Sequence, residues 1–388
     1  MFKKILRFSF YLFSLVLCFL TLEFVFNPSA FSGIQELVYQ KKLASTVAPF
    51  PKTPHQVYFE WSYAGKLYNF TQTFYESTYQ FFVNQEKSFY YLGELPLGWE
   101  ENYYGIFIRS INGDDSIKEL VNNLKSLAQK NNLKEEETLE LAVAFVQAIP
   151  YDEATAAKVL SENKEEKPHY PYEVLYQKKG ICSDKSFLLW RIVRELGYSV
   201  ALLEYDKANH MAVGIKCPQE YSTEKSGFCF TETTSSGHKI GIVPYLSSEN
   251  NQALSSSGFP GNLSEEKYKK LEDPKIYQIS QGKTYSRIAI TIEQINQLQF
   301  TGNTLEKNKK ELEALKKETS RLEDQLKKLG EKLSEYKARN DFENYNQLVG
   351  EYNELSLSVQ KSVSTYNQEV TQYNRLVKEY NSLAESLN

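Results

Sequence analysis

Between residues 116 and 196 the apolar positions of this chain follow a helical rhythm. Ile117, Leu120, Val121, Leu124 and Leu127 share one side of Ser116 to Lys130. Leu139, Ala142, Phe145, Val146 and Ile149 do the same for Lys134 to Ile149. Each stretch reads as an amphipathic helix, and Pro150 stops the second. Gly180 to Leu196 is different, because Phe187, Leu188, Leu189, Trp190, Ile192, Val193 and Leu196 make it apolar nearly all round. That pattern predicts a central, buried helix, with Gly197 suited to its end. Elsewhere the period shortens to two. Gln56 to Tyr63 and Lys66 to Tyr75, rich in Tyr, Phe and Thr around Ala64-Gly65, predict a β-hairpin. Ser199 to Tyr205, His210 to Lys216 and Gly227 to Thr233 read as strands, and the polar run Ser247 to Ser264 as a surface loop. Lys275 to Ser280 and Thr284 to Thr291 suggest a closing hairpin around Gln281-Gly282.

From Thr304 onward the pattern becomes a heptad. Leu305, Leu312, Leu315, Leu322, Leu326, Leu329, Leu333 and Tyr336 fall on alternating three- and four-residue steps, an a/d seam. A second seam runs through Tyr345, Tyr352, Val359, Tyr366, Tyr373 and Tyr380, each tyrosine followed by Asn. The two registers are offset by five residues, which is neither a stutter nor a stammer. A turn at Ala338 to Asn344 accounts for the offset, so an antiparallel coiled-coil hairpin is expected over 304–388, its first helix about 50 Å long. A single continuous rod is the rival reading. The Tyr-Asn heptads read as a packing seam rather than a ligand box, and the arm suits a coiled-coil partner or self-association.

The amino terminus sets the compartment. Lys3, Lys4 and Arg7 precede an uncharged run from Phe8 to Leu22, which Glu23 interrupts and Phe24, Val25 and Phe26 extend, close to the roughly 20 mostly apolar residues a membrane helix needs. Basic residues stay in the cytoplasm, so 1–27 reads as a single-pass anchor, 28–54 as a stem, and the rest as extracytoplasmic. Cleavage as a signal peptide near Ala30, giving a secreted protein, is the alternative, although Pro28 sits where a small side chain is wanted and Cys18 lacks a good lipobox. The net charge is −4, with Lys and Arg scattered among Asp and Glu, so no nucleic acid partner is expected. With 28 Tyr and 23 Phe the chain carries enough aromatic surface for a packed domain.

Three of the four cysteines, Cys182, Cys217 and Cys229, lie beyond the anchor, an odd number in an oxidising space. Cys182 opens the buried helix in Gly180-Ile181-Cys182-Ser183-Asp184. A helix start favours a thiolate through its unpaired N–H groups and its dipole, and Gly180 lets a substrate backbone approach. His210 opens one strand and Glu232 lies near the end of the next. A thiol, an imidazole and a carboxylate in this order form a nucleophile, a base and an orienter. Asp184 reads as a helix cap, and His55, His169 and His238 as surface residues. No cluster has metal-ligand spacing and no glycine-rich phosphate loop occurs, so neither metal nor cofactor is expected.

With Phe145 to Tyr151, Pro171 to Leu175, Gly180 to Asp184, Asn209-His210 and Glu232 to Thr234, the stretch Leu139 to Pro244 resembles the transglutaminase-like, papain-related superfamily. The resemblance implies an α+β fold with a central helix on an antiparallel sheet. It also implies attack of Cys182 on an amide carbonyl, a thioester, and transfer to an amine or water. Glu232 replaces the aspartate usual in that family. The family's oxyanion hole combines the nucleophile's N–H with an upstream side chain, for which Tyr151 is the candidate and Gln147 the reserve.

Strand parity bears on the remaining cysteines. His210 and Cys217 point to opposite faces, as do Cys229 and Glu232. If His210 and Glu232 share the catalytic face, Cys217 and Cys229 share the other and can form a disulfide, leaving Cys182 free. The organisation expected is therefore anchor, stem, a transglutaminase-like domain over 55–300 with its catalytic core at 139–244, and the helical arm. Two functions follow: a cysteine-dependent acyltransferase or amide hydrolase acting on a protein or peptide, or a catalytically silent cell-surface scaffold working through its coiled coil.

Overall fold

A computed structural model of the chain describes residues 47–91, 94–162, 167–254 and 268–387. The anchor or signal peptide expected at 1–27, and most of the stem, lie outside the described residues. Among those described, no helix is long and apolar enough to cross a membrane. The chain divides into two compact units, one ending at Ile288 and one beginning at Ala289.

The first unit opens with strands β1 (Pro54–Tyr63) and β2 (Lys66–Tyr75), antiparallel and in register from Pro54–Tyr75 to Tyr63–Lys66. Their turn places Ala64 and Gly65 at φ 51° and 71°, the mirror-image turn whose twist matches that of the strands. Helices α1 (Glu76–Val83), α2 (Trp99–Ile108), α3 (Ser116–Lys130) and α4 (Glu135–Ala148) follow, then α5 (Glu153–Glu162), the short α6 (Pro171–Gln177) and α7 (Cys182–Glu195). Phe187, Leu188, Leu189, Ile192 and Val193 of α7 have no exposed surface. This helix packs on α2, α3, α4 and α6 and on the sheet, the surround its all-round apolar sequence requires.

The sheet is formed by β3 (Val200–Tyr205), β4 (His210–Lys216), β5 (Phe228–Thr231) and, after the small β6 (Leu246–Ser247) and β7 (Tyr268–Lys269) pair, β8 (Lys275–Tyr277). Its order is β5-β4-β3-β8, with each neighbouring pair antiparallel. A disulfide joins Cys217, just past β4, to Cys229 in β5, with Cα atoms 5.8 Å apart. The β1–β2 hairpin is a separate sheet seated on α4, where Phe145 meets Phe59, Trp61 and Phe70 at ring distances of 5.2, 5.2 and 5.7 Å.

The closing hairpin expected around Gln281-Gly282 does not form. Lys275–Tyr277 pairs with β3 instead. A side chain at Gly282 would stand 2.4 Å from the backbone of Tyr198, so this glycine serves a close crossing of two segments and no turn. Tyr285 is then buried and donates its N–H to the Lys216 carbonyl, after which the chain becomes helical at Ile288.

The second unit is formed by α8 (Ile288–Ala338), from Ala289 onward, and α9 (Phe342–Leu387). At 51 residues, α8 begins before the heptad seam and spans about 75 Å. The turn between them places Asn340 at φ 56°. Thr319 and Ser362 share a hydrogen bond of 2.6 Å, Tyr380 packs beside Gly302, and Tyr352 beside Gly330. The partners retreat along α9 as they advance along α8, so the two helices run antiparallel.

Two outcomes follow. Phe145→Ala, which removes the ring at the centre of the hairpin contact, is expected to cost about 3–5 kcal/mol, read as a lowered denaturation midpoint with an unchanged slope. Cysteines at 319 and 362, introduced together, are expected to oxidise within one chain; cross-linking only between chains would count against the hairpin.

Candidate active site

The carboxyl end of α4 and the amino end of α7 are tied together first. Gly180 bridges Tyr151: its N–H donates to the Pro150 carbonyl, and its own carbonyl accepts from Asp152 N–H. A side chain at Gly180 would lie 3.0 Å from Asp184 Cβ, so this glycine admits the first turn of α7, and that close packing, not a substrate backbone, accounts for it. Asp184 accepts from Ile181 N–H at 3.0 Å and from His169 N–H at 2.7 Å, capping the helix that carries Cys182. Lys185, next to Asp184 and about one turn beyond Cys182, has no exposed surface and donates from Nζ to the carbonyls of Ile149 at 2.6 Å and Gln147 at 3.2 Å. Burial lowers its pKa to about 7, with Glu232 pulling the other way. These contacts place Tyr151 beside Cys182.

His210 and Glu232 come from the far side. His210 begins β4, which Ser186 of α7 holds by donating to the Met211 carbonyl at 3.0 Å. Glu232 lies one residue past β5, shorter than the expected strand. There its Oε1 accepts three bonds, from the N–H of Thr233 (2.9 Å), the N–H of Thr234 (2.7 Å) and the Thr234 hydroxyl (2.7 Å). The carboxylate captures the amides that would have continued the ladder. Its second oxygen, Oε2, faces His210 Nε2 at 3.5 Å, and both side chains are fully buried. Neither ring nitrogen, nor Oε2, makes a hydrogen bond of full geometry among the described residues.

Because Nε2 faces the acid, Nδ1 is the nitrogen left for sulfur. Burial opposes the charged form of both partners, and each overcomes it in the other. Glu232, helped by the Cys182 sulfur, raises the His210 pKa to about 10. His210 and the Thr234 donors hold Glu232 down to about 2.

Cys182 is free and buried. With His210 it lines a cleft of about 630 Å³, whose wall also includes Tyr151, Asn250 and Asn251. The Tyr151 hydroxyl donates to the Asn250 carbonyl at 2.9 Å, while the Cys182 N–H faces the tyrosine oxygen and burial drives its pKa well up. Gln147, the reserve oxyanion donor, is not free to serve. Its Nε2 donates to the carbonyls of Glu232 at 3.0 Å and His238 at 2.9 Å, so it clamps the acid's backbone.

Two histidines expected at the surface are not there. His238 is buried, its Nε2 2.9 Å from Ser235 Oγ, and burial lowers its pKa. His169 is half-buried, with Nδ1 3.5 Å from Asp184. Lys185 was detectable in the sequence as the lone lysine on the inward run of a helix apolar nearly all round. Such a charge needs a buried partner, which the carbonyls ending α4 supply.

Residues 117–223 match the family model of a transglutaminase-like domain, which supports placing this part of the chain in that superfamily. The match includes Cys182 and His210 and ends before Glu232. None of the curated proteins compared with the chain matches it.

The ion pair carries a pH signature. The Glu232 contribution to stability is present above pH 4.5 and lost as pH falls through about 2. That of His210 is complete below pH 6.5 and lost as pH rises through about 10. The stability difference between the wild type and the doubly neutral H210Q/E232Q variant is therefore expected to favour the wild type most between pH 4.5 and 6.5. Thermal unfolding across pH checks this, and a difference that keeps shifting in favour of the wild type toward pH 10 would contradict it.

Proposed function

We propose that this chain is an extracytoplasmic, membrane-anchored cysteine acyltransferase or amide hydrolase acting on protein or peptide substrates. The observation that supports it most is the position of His210. It is sealed between the thiol that begins a buried helix and a carboxylate whose other oxygen is fully occupied by donors. An imidazole so placed is kept charged, and an imidazolium beside a cysteine sulfur favours the thiolate.

In this reading the Cys182 thiolate attacks an amide carbonyl carbon, and the carbonyl electron pair moves onto oxygen. The Cys182 N–H supplies one oxyanion donor by turning from the Tyr151 oxygen to the developing charge. Tyr151 supplies the second by exchanging its bond to Asn250 for the developing charge, which such donors stabilise more than the ground state. As the tetrahedral intermediate collapses, the C–N bond breaks and His210 gives its Nδ1 proton to the departing amine. Water or an amine then attacks the thioester and loses its proton to His210. The C–S bond breaks and the thiolate–imidazolium pair returns. Glu232 keeps the ring oriented throughout and takes no proton.

The Cys217–Cys229 disulfide supports an oxidising compartment, in keeping with an exported domain behind the anchor expected at 1–27. The coiled-coil arm is read as the part that meets a partner or a second copy. With the domain catalytically silent, the same architecture would serve as a scaffold.

Iodoacetamide labelling separates the two. At pH 7 the folded chain is expected to alkylate at Cys182, and His210→Ala to slow this by at least about tenfold as the ion pair is lost. Cys182→Ala should remove turnover by orders of magnitude. A Cys182 that resists alkylation until the chain unfolds would favour the scaffold.

A further inference from the structure

The cleft beside Cys182 extends well past the reacting groups, and its far wall is aromatic. Phe89, Tyr91, Trp99, Tyr103 and Tyr104 all line it. Phe89 stands 6.4 Å from Trp99, Trp99 5.7 Å from Tyr103, and Tyr103 5.4 Å from Phe107 in the core. Tyr104 leans on Phe187 of α7 at 6.1 Å, so the wall is braced against the helix that carries the thiol. Part of this surface is uncovered: Tyr91 is 48% exposed and Leu95 46%.

Most of the charges lining the same cleft already have partners. Lys87 makes a two-pronged contact with Glu173, at 2.9 and 2.7 Å. Asp206 pairs with Lys275 at 2.5 Å. Glu204 accepts from the Tyr104 hydroxyl, and burial pushes its carboxyl up toward the neutral form. Among the described residues of the lining, His210 is held by Glu232, and Lys167, exposed at the rim, is the charged side chain that stands outside these pairs. A charged substrate group seated on the aromatic wall would lose water and find no partner there, Lys167 lying at the exposed rim. An aromatic ring would bury apolar area and stack against others.

We infer that the substrate is a polypeptide whose reacting amide is flanked by an aromatic or bulky apolar side chain, which seats on the Phe89–Trp99–Tyr103 wall while Cys182 attacks the neighbouring carbonyl. The cleft holds more than one residue, since about 630 Å³ exceeds the volume of any single side chain. This inference rests on the proposed reaction and names its selectivity.

The test uses the full chain and short peptides of form Ala-X-Gln-Gly, with X as Phe, Trp, Leu, Ala, Glu or Lys. Hydroxylamine is present to trap the acyl group, and mass spectrometry reads hydrolysis and hydroxamate together. Phe and Trp are expected to exceed Ala by about 10- to 100-fold in kcat/KM, with Glu and Lys at or below Ala. Trp99→Ala should reduce the Phe-to-Ala ratio several-fold. Because Trp99 begins α2 and its loss can unsettle the fold, Tyr91→Ala, altering a half-exposed ring, provides the second variant and should reduce the same ratio. A flat profile, a preference for Glu or Lys, or no turnover of any peptide overturns the inference. In each case Cys182 alkylation at pH 7 shows separately whether the proposed reaction still stands.

Discussion

Two opposite charges with no exposed surface are the constraint on which the site depends. A buried imidazolium or a buried carboxylate alone would lose several kcal/mol of hydration, so each is tolerable only because the other is there. What makes the pair usable is the unequal treatment of the two carboxylate oxygens. Oε1 is saturated by Thr233 and Thr234, so its geometry is fixed by the backbone and by a neighbouring hydroxyl. Oε2 is left to face the ring. The ring is thereby oriented by a group that cannot easily turn away, and Nδ1 is left toward sulfur.

The remaining structure serves that arrangement by joining elements distant in sequence. Gln147 near the end of α4 clamps the backbone of Glu232 and of His238. Lys185, a turn beyond Cys182, closes the same helix end. One short segment, 147–151, therefore touches the acid and the nucleophile's helix and itself carries Tyr151. The disulfide across β4 and β5 fixes the strands that deliver His210 and Glu232. Displacement of any of these elements would be transmitted to the ion pair, because packed interiors relax little.

Much of this was legible in the sequence because burial imposes a period. The helices at 116–130 and 135–148, the hairpin, the strands from 200 to 231 and the break between the two long helices all announce themselves through spacing of apolar residues. So did Asp184 as a cap, since it reaches back to Ile181. The short helices α1, α2, α5 and α6 were missed because seven to ten residues hold too few repeats to reveal a period. The stretch after Lys283 was misread because a β-like composition at 284–291 was overridden by the demand that Tyr285 be buried and the long helix begin. His238 and Gln147 were beyond reach for another reason. Their partners lie about 90 residues away or belong to a loop, and no local pattern records such a bond. Lys185 is the instructive case, since a lone charge on an inward run is a visible sign even when its acceptors are not.

The three donors on Oε1 also bear on the departure from aspartate. A side chain one methylene shorter would fall about 1.5 Å short along this path. It could keep the grip of the threonine amides and lose the imidazole, or reach the imidazole and abandon the threonines. The longer acid and the Thr233-Thr234 pair thus form one unit, a matched length and anchor, and a change in either alters what the other must span.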